Sequence, residues 1–198
     1  MLEVALNVLL LGPQGAGKGT QAKKIAATYG IPHVATGDML RVAASAGTTL
    51  GRRVGPILDS GELVPDGLMI QLIRERLCAE DTGEGFVLDG FPRTPPQAEA
   101  LDAILGETGA NFSVVIALHV NDEVAVQRLL RRSGVEGRPD DTPEAIQRRL
   151  ANYHEQTEPL IEYYRTRGKL APVDGDCPEG EVFAQIQAAL ENAQERVG

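Results

Sequence analysis

Short apolar runs alternate along this chain with longer segments whose apolar residues recur every three or four positions. The first pattern is that of strands buried on both faces, the second that of helices laid over them. Strands are predicted over residues 5–11, 33–35, 86–88, 113–120 and 170–173. Helices are predicted over 18–29, 38–46, 49–59, 66–80, 96–105, 122–133, 143–167 and 180–196. Glycine and proline punctuate the joins, so the order is that of an α/β domain built on a parallel sheet. Residues 36–63 contain no convincing strand. They read as two short helices broken at Gly47 and Gly61, a small cap standing off the sheet. In the helix from Pro143, the stripe Ile146, Leu150, Tyr153, Thr157, Leu160 and Tyr164 is interrupted by Pro159, which should kink it.

Composition narrows the classes. A chain of 198 residues supports one domain with a real core. Its net charge of −9 argues against a general nucleic-acid binder. No apolar run approaches the roughly 18 residues of a membrane span, and no basic region precedes the first apolar run as in a signal peptide. Cys78 and Cys177 lack metal-ligand spacing and read as free thiols in a reducing cytosol.

Candidate chemistry begins where the first strand ends. Four glycines and a lysine follow the run Val8–Leu11, in the segment Gly12 to Thr20. Such a strand–glycine loop–helix unit turns backbone amides on a polyphosphate at a helix N-terminus. Lys18 supplies a mobile cation and Thr20 a hydroxyl near magnesium, although Gly19 stands where the general P-loop pattern has Ser or Thr. Farther on, the strand Phe86–Leu88 runs into Asp89-Gly90. That places a carboxylate at the sheet's C-terminal edge, where ligands bind in open α/β folds. If this strand neighbours the glycine loop, Asp89 can hold magnesium or its waters, with Arg93 beside it as a fork-shaped phosphate donor. Asp38 reads as a helix N-terminal residue with Arg41 one turn on.

Between residues 128 and 149 six arginines face four acids. Val126, Leu129 and Leu130 are expected on the apolar face of one helix, with Arg128, Arg131 and Arg132 opposite. A polar loop carries Arg138, Asp140 and Asp141, and Thr142-Pro143 opens the next helix, which carries Arg148 and Arg149. Like charges crowded about one hinge point to a polyanion as their partner. His33, His119 and His154 show no ligand or triad spacing and read as structural. Covalent and hydrolytic mechanisms lack candidates.

Together these segments resemble the adenylate kinases, nucleoside monophosphate kinases that interconvert ATP and AMP with two ADP. The resemblance covers nearly the whole chain. It rests on GPQGAGKGTQ from Gly12, ATGDMLR from Ala35, DGFPRT from Asp89 with Gln97, RLLRR from Arg128, GRPDD from Gly137, Arg149, and PVDG from Pro172. In that family a glycine between lysine and Thr20 is normal. The resemblance implies a three-layer α/β/α P-loop fold with a five-stranded parallel sheet. It also implies a monophosphate-binding cap at 35–64 and a short lid at 129–139. Gly15, Ala16, Gly17, Lys18, Gly19, Thr20, Arg128, Arg132 and the backbone near Cys177 would hold ATP. Thr36, Arg41, Glu62, Leu63, Val64, Gly90, Phe91, Pro92, Arg93, Gln97, Arg138 and Arg149 would hold AMP. Lys18, Asp89, Arg93, Arg132, Arg138 and Arg149 would be catalytic, with Asp89 and Thr20 at a magnesium ion that accompanies ATP. The lid has no cysteine quartet, so no structural zinc is expected. A cytoplasmic monomer acting on ATP, AMP and ADP, with neither nucleic acid nor membrane as partner, is the implied setting. A uridylate–cytidylate kinase shares the scaffold, with Thr36 and Gln97 as the discriminating residues. A P-loop switch without turnover is the alternative of a different class.

Overall fold

The computed structural model describes residues 5–136 and 141–195. Five strands, β1 (Leu6–Leu11), β2 (His33–Ala35), β3 (Gly85–Asp89), β4 (Val114–His119) and β5 (Leu170–Asp174), form one sheet in the order β2-β3-β1-β4-β5. Every pairing is parallel, so all strand C-termini lie along one edge. β1 is central and buried at all of its positions. Its side chains alternate between two cores, as the pleat requires. Leu9 and Leu11 join Leu88, Leu101 and Tyr164 on one face, while Val8 and Leu10 join Ile25, Ile116 and Ile186 on the other. Each such leucine contributes roughly 1.5–3 kcal/mol when fully buried.

The helices are α1 (Lys18–Tyr29), α2 (Thr36–Ser45), α3 (Thr49–Ser60), α4 (Asp66–Leu77), α5 (Pro95–Glu107), α6 (Asp122–Glu136), α7 (Pro143–Asn152), α8 (Pro159–Arg165) and α9 (Glu179–Glu195). α1 and α9 pack together on one side of the sheet, and α4, α5 and α8 associate on the other. α2 and α3 pack as a pair, hinged at Gly47, and α3 also touches α7. Local chemistry sets the helix starts: Thr48, Thr94 and Thr142 each accept the N–H three residues on, at 2.9, 3.4 and 3.2 Å. Among the described residues no helix is long and apolar enough to cross a membrane.

Several boundaries differ from the expectation. α2 begins at Thr36 rather than Asp38, because Thr36 is buried against β3 and its hydroxyl donates to the Asp89 carbonyl at 3.2 Å. The helix from Asp66 stops at Leu77 and is followed by a 3₁₀ turn, Glu80–Thr82. The segment from Pro143 bends before Pro159: a π-turn spans Tyr153–Thr157 and the proline opens α8. A proline lacks the N–H an interior turn needs, and the wider π-turn absorbs the misfit while keeping Tyr153, Thr157 and Leu160 inward. On α6 the buried face is Ala125 and Leu129, whereas Leu130 is 46% exposed. Arg128 and Arg132 are accordingly half-buried beside that stripe instead of opposite it, and only Arg131 is fully out.

Candidate active site

Because β3 lies beside β1, Leu10 is in register with Asp89, and the turn after β1 stands next to the carboxylate that ends β3. That turn enters α1 through left-handed glycines. At Gly15, φ is 88° and a Cβ would fall 2.5 Å from the Ala125 carbonyl, so only glycine lets the loop lie against the start of α6. The first amides of α1 are left without intrahelical partners and open on a cleft of about 600 Å³.

Lys18 donates from Nζ to the carbonyls of Gly12 and Pro13, at 2.7 and 2.8 Å. Burial pulls its pKa down to about 8. Asp89 opposes that shift, and Arg93 and Arg132 reinforce it. A Cβ on Gly19 would lie 3.5 Å from Asp89 Oδ2, and His33 Nε2 is 3.7 Å from the same oxygen. Thr20 is exposed at the cleft. On the other side of Asp89, Arg93 donates from Nε to the Gly90 carbonyl at 2.8 Å. Burial lowers the Arg93 pKa; Asp89 opposes the shift, and Arg149 and Arg41 add to it. Gly90 has φ 87°, and a Cβ there would meet Thr36 Oγ1 at 2.6 Å. This close approach puts the β3 turn directly under α2.

Arg41 pairs with Asp38 at 2.5 Å, so the arginine read as one turn beyond an N-terminal acid is held by that acid. Arg128 donates to the Gly175 carbonyl at 2.9 Å, beside Cys177. The Cys177 thiol donates to Asp174 at 3.3 Å, and this contact raises its pKa. Glu62 forms an exposed ion pair with Arg148 at 3.1 Å, and Leu63 and Val64 continue the same wall. Gln97 is 2% exposed and lines the cleft with Pro92 and Ala16. The Phe91 side chain does not line it but sits in the core, 1% exposed, between the lining residues Gly90 and Pro92. Arg138 lies outside the described residues.

Asp141 is a functional candidate that the motif reading left as part of a polar loop. Its carboxylate is wholly shielded and accepts Arg132 Nε and Nη2 at 2.8 and 2.9 Å and Arg149 Nη1 at 2.7 Å. Burial alone would raise its pKa, but the two guanidiniums outweigh that and hold the carboxyl below its usual range. The arginines are therefore held by an internal anion, whereas sequence alone left them repelling one another. Arg149 also donates to the Leu58 carbonyl at 3.3 Å, tying α7 to the end of α3. Asp66 is the second omission, for it reads as an ordinary helix-start acid; its carboxylate touches Gln97 and Thr94. Asp141 closes the GRPDD segment, but for neither acid does the local sequence show its partners beyond a place at a helix entrance.

The comparisons with known proteins agree with this arrangement. The family model described as adenylate kinase matches residues 10–169. An adenylate kinase of Maricaulis maris is 51% identical over 186 residues, covering 94% of this chain and 99% of the relative. One of Thermus thermophilus is 50% identical over 189 residues, covering 96% and 99%. One of Cyanothece is 51% identical over 181 residues, covering 91% and 93%.

Proposed function

The chain belongs to the adenylate kinase family and carries out its reaction, ATP plus AMP to two ADP, and from this premise we propose the parts its residues play. One observation carries the assignment: a glycine loop with Lys18 and an arginine set, Arg41, Arg93 and Arg149, flank one carboxylate, Asp89, in a single cleft. Gly15 to Thr20, Arg128 and Arg132 bind ATP, with the backbone near Cys177 against its adenine. Thr36, Arg41, Glu62 to Val64, Gly90, the backbone of Phe91, Pro92, Arg93, Gln97 and Arg149 bind AMP; Arg138 is assigned to the transferring group and AMP.

The cap at 35–64 and the lid at 129–139 close over the two. An AMP phosphate oxygen forms the new bond to the γ-phosphorus as the bond to the β-phosphate oxygen breaks. Both nucleotides leave as ADP. No protein nucleophile or general base is needed, since the attacking oxygen is already ionised. Lys18, Arg93, Arg132 and Arg149 hold the phosphates in line and meet the charge spread over the transferring group.

The residues present fit a magnesium ion brought in with ATP. Asp89 offers a half-buried hard oxygen beside the start of α1, and Thr20 an exposed hydroxyl at the same mouth. Bound there, the ion would neutralise phosphate charge and fix the phosphate geometry. A monomer in the cytoplasm is the setting we propose. Two free cysteines fit that reducing compartment, and the net charge of −9 fits nucleotides, not nucleic acid, as its partners.

The test is ADP formation from magnesium, ATP and one of AMP, CMP, UMP or GMP. AMP should be turned over fastest. A preference for UMP or CMP would move the assignment to the pyrimidine kinases, and no ADP above a no-enzyme control would leave a binding switch.

A further inference from the structure

Gln97 has the spacing of a helix-capping residue, three beyond the N-cap Thr94, yet its carboxamide is used in an unusual way. Its Oε1 accepts from the Arg93 backbone N–H at 2.8 Å, and its Nε2 donates to Asp66 Oδ1 at 2.7 Å. Asp66, the first residue of α4, is steadied by the Thr94 hydroxyl, which donates to the same oxygen at 3.1 Å. The two faces of a carboxamide are ordinarily interchangeable, and only its partners decide between them. Here both partners agree. A backbone N–H can only donate, and an ionised carboxylate can only accept. Reversal would set N–H against N–H at Arg93 and oxygen against oxygen at Asp66.

Two groups of Gln97 then remain without partners among the described residues: the second N–H and the second lone pair of Oε1. Their order along the cleft wall is fixed. A 6-aminopurine presents a donor, the exocyclic amine, next to an acceptor, N1, and pairs with both. A 6-oxopurine presents the reverse, an acceptor next to N1–H, and with its sugar phosphate anchored it meets like against like. We propose that Asp66 is a specificity-determining residue, a positioning carboxylate that locks the Gln97 carboxamide in the one orientation that accepts a 6-aminopurine monophosphate and rejects a 6-oxopurine one. This rests on the reading of Gln97 as a residue of the AMP site. Asp66 does not line the cleft, so its action on the base passes entirely through Gln97.

The experiment compares kcat and KM for AMP and IMP, which differ at the purine 6-position, at saturating magnesium-ATP. The variants are Asp66→Asn, Gln97→Ala and the double variant. An asparagine in place of Asp66 offers a donor as well as an acceptor, so the carboxamide loses the partner that could only accept and the reversed orientation is no longer excluded there. Asp66→Asn should lower the AMP-to-IMP ratio of kcat/KM by about tenfold or more, raising KM for AMP more than it lowers kcat and leaving KM for ATP in place. In the Gln97→Ala background the same change should have no further effect on the ratio. A lower melting temperature with an unchanged ratio reduces Asp66 to a tie between α4 and α5 and overturns the inference, as does an additive double variant. If Gln97→Ala itself leaves the ratio unchanged, the AMP-site reading falls and the inference with it. Should Asp66→Asn not fold, Asp66→Ala removes the acceptor outright and is read the same way.

Discussion

Lys18 carries the positive charge that the glycine loop offers to a polyphosphate, and its surroundings work against that charge until the ligand arrives. Burial lowers its pKa to about 8, against an ordinary 10.5. Between those values the unfolded chain holds the proton and the folded one does not, so this group's contribution to stability rises with pH across that window. Bound phosphates reverse the balance by favouring the ammonium. ATP binding should therefore take up a proton from just below pH 8 upward, and affinity should fall above that pH. Calorimetry near pH 8.5 in two buffers of different ionisation enthalpy reads the uptake directly. Lys18→Met should abolish it and lower turnover by about a hundredfold or more. Uptake that persists in Lys18→Met would assign the proton to another group.

Secondary elements bring these side chains together, and here the sequence was most informative. The apolar runs at 5–11 and 86–88 are unambiguous, and once parallel they deliver the glycine loop and Asp89 to one edge. Nothing in the order of residues shows the α7 approach that buries Asp141, or the meeting of α4 and α5 that sets Asp66 on Gln97. Acids at helix entrances satisfy a local rule, which hides any second duty. Leu130 misleads in the opposite sense, since an apolar residue on α6 need not point inward. His154, read as structural, joins two elements. Nε2 lies 2.9 Å from Asp122 at the start of α6, and Nδ1 lies 2.8 Å from Glu158 just before α8.

Both carboxylates accept, so the clasp needs the imidazolium; Glu158 first and Asp122 next raise its pKa above 6.5. A group whose pKa is raised by folding stabilises fully below its unfolded value, and this contribution is lost as pH climbs through the folded one. The ring is largely exposed, which limits the effect to about 0.5 kcal/mol. His154→Gln should lower the denaturation midpoint at pH 6 and leave it unchanged at pH 9. An equal loss at both would mean that packing on Tyr153, whose ring centroid lies 5.3 Å away, does the work.

Over the whole molecule, the cleft gathers cations inside an acidic protein, and one buried carboxylate of the folded chain serves two of them as counter-charge. Asp141 sits between Arg132 on α6 and Arg149 on α7 with its side chain fully shielded, while Arg149 also holds the end of α3. The proposed lid and the core thus meet at one carboxylate, and Arg149 links both to the proposed cap. Removing that charge takes from both guanidiniums the anion they share in a shielded place, and breaking such a pair from one side costs about 3–5 kcal/mol. Asp141→Asn keeps the shape and takes only the charge, so it should unfold earlier by this mechanism.

The outcome changes when a polyanion is present. ATP or a bisubstrate dinucleotide offers the arginines other partners, so ligand should raise the melting temperature of Asp141→Asn by more degrees than it raises the wild type's. Sodium sulfate at matched ionic strength should act in the same direction but less, as a single anion spans less of the cleft. The measurement is a thermal melt with and without nucleotide on both proteins, alongside turnover. Equal ligand-induced shifts would mean that the arginines stay on residue 141 when nucleotide binds, and that Asp141 anchors them permanently instead of handing them to phosphate.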